Sequence, residues 1–73
     1  MAEEIIEVPI TGKITSVECK VGDAVQEGDV ICFIESMKME NPILAPVAGT
    51  VTRIEVTADQ TVETGNVIAV IEY

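Results

Sequence analysis

Two kinds of apolar pattern alternate along this chain. In "KITSVECKV" (residues 13–21) and "TVTRIEVT" (residues 50–57), apolar and polar residues roughly alternate. That period predicts strands with one buried face. In "DVICFIE" (residues 29–35) and "NVIAVIEY" (residues 66–73), the apolar residues run almost without interruption. Such short runs predict strands inside a sandwich core. Between the two kinds lie "GDAVQEGD" and "ADQTVETGN". Their Gly, Asp and Asn residues suit turns that need positive φ or side-chain bonds to the backbone. No segment carries a convincing helical period.

The order of these elements repeats. Shifted by 37 positions, "VPITGKITSVECKVGDAVQEGDVICFIE" falls on "APVAGTVTRIEVTADQTVETGNVIAVIE" without a gap. Pro9 meets Pro46, Gly12 meets Gly49, Thr15 meets Thr52 and Gly28 meets Gly65. Val30, Ile31, Ile34 and Glu35 meet Val67, Ile68, Ile71 and Glu72. One module therefore occurs twice, at residues 8–35 and 45–72, joined by residues 36–44. The expected architecture is all-β: a flattened barrel or sandwich with a pseudo-twofold internal repeat, filling residues 1–73 as one domain. The twofold relation also predicts that the join and the two termini lie at opposite ends of the molecule.

Composition narrows the function. The formal charge is −9, with Lys13, Lys20, Lys38 and Arg53 as the scattered cations. Nucleic-acid binding needs clustered Lys and Arg and is excluded as an expectation. No apolar run approaches the ~20 residues of a membrane helix, so no membrane insertion is expected. The start, "MAEEIIEV", is short and acidic and does not read as a signal peptide. A cytoplasmic location is expected. Cys19 and Cys32 both fall in Val/Ile-rich strand patterns and are expected to be free thiols behaving as small hydrophobes. With no histidine in the chain, neither a metal site nor a Ser–His or Cys–His nucleophile is expected.

The join holds "SMKMENPIL", residues 36–44. A hairpin there would present Lys38 to solvent between Met37 and Met39. A lysine in a turn is ordinary, but two methionines exposed beside it are not, and adaptable Met surfaces serve recognition. A solvated lysine is overwhelmingly protonated at neutral pH. Turning one into a base or a Schiff-base amine takes burial or nearby cations. Lys38 is instead flanked by Glu35 and Glu40. It is better read as an attachment point that another enzyme acylates than as a catalytic group.

The stretch "ESMKMENPILAPVAGTV" resembles the attachment segment of biotinyl domains, the biotin carboxyl carriers of biotin-dependent carboxylases and decarboxylases. Their hallmark is Ala-Met-Lys-Met followed by Pro-x-x-Gly-x-Val. Met37, Lys38 and Met39 stand in place here, followed by Glu40, Pro46, Gly49 and Val51, with Ser36 where alanine is usual. The resemblance spans residues 8–72. It implies a barrel of two four-stranded antiparallel sheets and biotin joined covalently to Lys38 by a biotin protein ligase. It further implies service to a biotin carboxylase and a carboxyltransferase, with no catalysis by the carrier itself. Ser36, Met37, Met39, Glu35 and Glu40 are the implied recognition residues for ligase and partners.

Two alternatives stand beside this reading. A lipoyl domain shares the implied fold and lysine hairpin, but usually has Asp before the lysine and Ala after it. Met37 and Met39 favour biotin over lipoate. The other alternative is an unmodified β-sandwich interaction module.

Overall fold

Each half of the repeat folds into the same set of strands. The computed structural model describes residues 1–73. Its strands are β1 (Glu3–Glu7), β2 (Gly12–Val17), β3 (Ala24–Val25), β4 (Val30–Ser36), β5 (Met39–Leu44), β6 (Gly49–Ile54), β7 (Thr61–Val62) and β8 (Val67–Glu72). They form two four-stranded sheets, ordered β1-β8-β6-β3 and β5-β4-β2-β7. Every pairing is antiparallel. Exchanging β1 with β5, β2 with β6, β3 with β7 and β4 with β8 turns one sheet order into the other. No helix is long and apolar enough to cross a membrane.

The core follows the same exchange. Ile14 and Val51, Val25 and Val62, Ile31 and Ile68, Cys32 and Ala69, and Ile34 and Ile71 are all buried, as are Ile6 and Ile43. No polar or charged side chain is buried with them. Alternation along β2 and β6, and the continuous runs of β4 and β8, thus supply the two inner faces of one sandwich. The turns match too. Gly28 and Gly65 have φ of 93° and 96°, the left-handed backbone that glycine adopts without a Cβ clash. Asp29 Oδ2 accepts from the Gln26 N–H at 2.9 Å, and Asp23 Oδ2 from the Lys20 N–H at 3.0 Å. Both are local side-chain turns.

Three features depart from the sequence pattern. Strand β1 lies outside the repeated modules and pairs with β8. The turn segments hold the two-residue strands β3 and β7, which exist by pairing with β6 and β2. Finally, β2 stops at Val17, short of the alternating run, so Cys19 lies beyond the strand and is only half-buried. The reason is topological. Here the chain leaves one sheet for the other, and Gly22 and Asp23 already bond to Val51 of β6 at 2.8 and 2.9 Å.

Connectivity separates the lysine hairpin from the termini. Strand β5 leads from Met39 to Leu44, a climb of roughly 17 Å at strand rise. Residues 45–48 then cross to β6, whose Thr50 pairs with Glu72. Next to it, Ala2 and Tyr73 exchange backbone hydrogen bonds of 2.8 Å. The termini therefore sit at the Leu44 end, away from the β4–β5 turn.

Candidate functional site

Strands β4 and β5 pair in register, with Ser36 opposite Met39, Glu35 opposite Glu40 and Phe33 opposite Pro42. Only Met37 and Lys38 remain to make the turn. Two-residue hairpin loops match the sheet twist when both central residues have positive φ. Met37 and Lys38 do, at 53° and 66°. Asn-Gly is the usual solution. Here two side chains with Cβ atoms occupy left-handed backbone, a strain of about 1–2 kcal/mol each. Strain of this kind persists where surrounding structure enforces it, and it gathers at functional sites. The paired flanks of β4 and β5 enforce it here.

The tip is open. Met37 is 92% exposed and Met39 66% exposed. Lys38, Glu35 and Glu40 are exposed as well, and Ser36 is half-buried. The methionines therefore contribute surface rather than core. Lys38 makes no ion pair; the two present join Lys13 to Asp59 at 3.8 Å and Arg53 to Glu55 at 3.0 Å. Glu35 and Glu40 face each other directly across the pair, an arrangement that like charges disfavour. Glu40 has a partner of another kind: Thr15 Oγ1 of β2 donates to Glu40 Oε2 at 3.0 Å. Asn41 Nδ2 donates to the Met39 carbonyl at 3.3 Å, adding support below the tip.

Two further residues shape the base of the hairpin. Gly12 opens β2 where a Cβ would fall against the Glu35 carbonyl oxygen and 2.8 Å from Ile34 Cγ2. The missing side chain lets β2 close against the end of β4. Pro42 lies on β5, an edge strand, where a missing N–H is tolerated. Thr15 and Asn41 were not among the residues that the sequence singled out. Thr15 was visible only as the partner of Thr52 in the repeat, because its reach to Glu40 depends on a bulge. The register of β2 against β4 shifts between Ile14 and Ser16, and Thr15 is the extra residue.

Both thiols are free, Cys32 buried and Cys19 half-buried. Burial raises the Cys32 thiol from 9.0 to about 11, with a smaller push from Cys19. Burial, then the charge of Asp23, also raises Cys19. Neither is a poised nucleophile.

An exposed, unpaired primary amine on a two-residue turn can form one amide with an activated carboxyl group. Similarity to known proteins agrees with that chemistry. The Biotin_lipoyl family model, described as "Biotin-requiring enzyme", matches residues 4–71. The chain belongs to this family. It is 49% identical over 39 residues to the glutaconyl-CoA decarboxylase subunit gamma of Acidaminococcus fermentans, covering 53% of this chain and 27% of that protein. It is 42% identical over 45 residues to the biotinylated protein TB7.3 of Mycobacterium tuberculosis, covering 62% of each. Among solved structures, Kluyveromyces lactis urea carboxylase superposes with a TM-score of 0.90 at 33% identity, covering 99% of this chain and 6% of that one. The chain thus spans about a quarter of the length of the decarboxylase subunit.

Proposed function

We propose that this chain is a biotin carboxyl carrier with Lys38 as its attachment residue. The observation that carries the reading is the tip of the β4–β5 hairpin, where an unpaired lysine stands between exposed Met37 and Met39 on left-handed backbone. Once attached, biotin supplies the chemistry, carrying a carboxyl group between a biotin carboxylase and a carboxyltransferase. The protein supplies delivery. In the ligation, a biotin protein ligase presents an activated carboxyl carbon. The Lys38 ammonium first gives one proton to solvent, the neutral Nζ then forms the amide bond to that carbon, the adenylate leaves as AMP, and Nζ releases a second proton.

The other residues position and display that amine. Met37, Met39, Ser36, Glu35 and Glu40 form the surface that ligase and partner enzymes meet. Gly12 seats β2 against the hairpin base. A small, strongly acidic body adheres little to non-partners, and tethering raises the local concentration of the arm at each active site. The similarity to the glutaconyl-CoA decarboxylase subunit favours partners of the acyl-CoA decarboxylase kind. The free thiols fit the cytoplasmic location that we propose alongside.

The test is intact mass and peptide mapping after expression with a biotin protein ligase and biotin. One biotinyl increment on Lys38 is expected. A lipoyl increment, or no increment, overturns the reading.

A further inference from the structure

The pseudo-twofold provides an internal control for the hairpin. Thr15 and Thr52 are equivalent, and both are the extra residue of a bulge, in β2 and β6 respectively. Each hydroxyl lies 3.3 Å from the carbonyl of a neighbouring strand, Phe33 for Thr15 and Val70 for Thr52. That shared contact belongs to the fold. Only Thr15 has a second acceptor, Glu40 Oε2 at 3.0 Å. Glu3 stands at the position equivalent to Glu40, yet Thr52 makes no bond to it. A hydroxyl has one proton to donate, and the shorter, charge-assisted contact is the stronger one. The bulge aims Thr15 across β4 toward the carboxylate two residues from Lys38.

We propose that Thr15 is a positioning residue for Lys38, holding the Glu40 carboxylate over the sheet so that the lysine amine stays unpaired. This deepens the carrier reading and rests on it for its biological meaning, though not for its test. Three observations converge. Lys38 has no ion-pair partner although Glu35 and Glu40 flank the turn. Glu40 is bonded 25 residues away in sequence. The repulsion between the opposed Glu35 and Glu40 is eased by giving one of them a neutral donor. Freed from Thr15, Glu40 would be available to pair with the ammonium, and a paired ammonium gives up its proton less readily, leaving less of the neutral amine that attacks an acyl carbon.

The experiment uses an activated biotin ester, which acylates exposed amines without any ligase. The readout is the ratio of label on Lys38 to label on Lys20, taken by peptide mapping. In Thr15→Val the ratio should fall about two- to five-fold, the range by which exposed ion pairs bias a population. High ionic strength should restore it. Thr15→Ser, which keeps the hydroxyl, should match the wild type. Thr52→Val, which loses only the shared carbonyl contact, should leave the ratio unchanged. In a Glu40→Gln background, Thr15→Val should have no further effect. An unchanged ratio in Thr15→Val, or an equal fall with Glu40→Gln already present, overturns the proposal. Absence of biotin from the ligase-treated wild type would instead overturn the carrier reading, so the two failures are distinguishable.

Discussion

Met37 and Lys38 are consecutive residues in left-handed backbone, with φ of 53° and 66°, and together they form the whole turn between β4 and β5. Neither is glycine or asparagine. The turn therefore holds Lys38 at a cost in stability, and the cost is measurable. Replacing the pair by Asn-Gly, the residues this turn geometry favours, should raise stability by roughly 1–2 kcal/mol while removing the amine. Urea unfolding of wild type and the double variant measures the difference. A less stable variant would show that Met37 and Lys38 support the turn rather than strain it.

Lys38→Arg separates the charge from the chemistry. Arginine keeps the positive charge and the long stem, but its guanidinium stays protonated and forms no amide. Exposed tip substitutions usually shift stability by under ~0.5 kcal/mol, so the variant should fold normally. Peptide mapping after ligase treatment should find no biotin on it, nor any on Lys13 or Lys20, which lack the methionine frame. Biotin on either of those lysines would relocate the site.

The glycines divide into two mechanisms with different costs. At Gly28 and Gly65 a Cβ meets nothing within 4 Å, so only the positive φ opposes a side chain. Alanine at either should cost about 1–2 kcal/mol. At Gly12 and Gly49 a Cβ meets backbone: the Glu35 carbonyl oxygen in one case, the Glu72 carbonyl oxygen in the other. A carbonyl on a paired strand cannot rotate away, and the overpacking should cost roughly 2–3 kcal/mol or more. Thermal unfolding of Gly12→Ala and Gly28→Ala compares the two. Equal losses would mean that β2 moves aside at no cost.

Much of this was legible before the structure, for identifiable reasons. The repeat aligned Ile14 with Val51 and Ile34 with Ile71, and those pairs form the core because twofold-related positions face the same interior. Methionines framing Lys38 marked the hairpin because large apolar residues rarely flank a solvated cation. Strands β1 and β5 were harder to see. Ile6 and Ile43 are their only buried residues, and exposed charged or proline positions dilute the period. Strands β3 and β7 have two residues each and are defined by partners far away in sequence. The Thr15–Glu40 bond depends on the bulge in β2, and register is a tertiary property that local pattern does not encode.

The buried thiol at Cys32 makes stability depend on alkaline pH. Its folded value is about 11, raised from 9.0 first by burial and then by Cys19. The unfolded chain therefore releases this proton earlier than the folded one. Below pH 9 both states keep the proton and the full stability is present. Between pH 9 and 11 the unfolded state binds fewer protons, so stability falls as pH rises. Two units correspond to a loss of roughly 2–3 kcal/mol once the window is crossed. Cys32→Ala provides the control, because Ala69 already fills the twofold-related buried position. Its baseline should be lower by about 1 kcal/mol for the lost sulfur contacts, but its decline across the window should be shallower. Urea midpoints of both proteins from below pH 9 to pH 11 decide the matter. Parallel curves would show that Cys32 is not the group responsible.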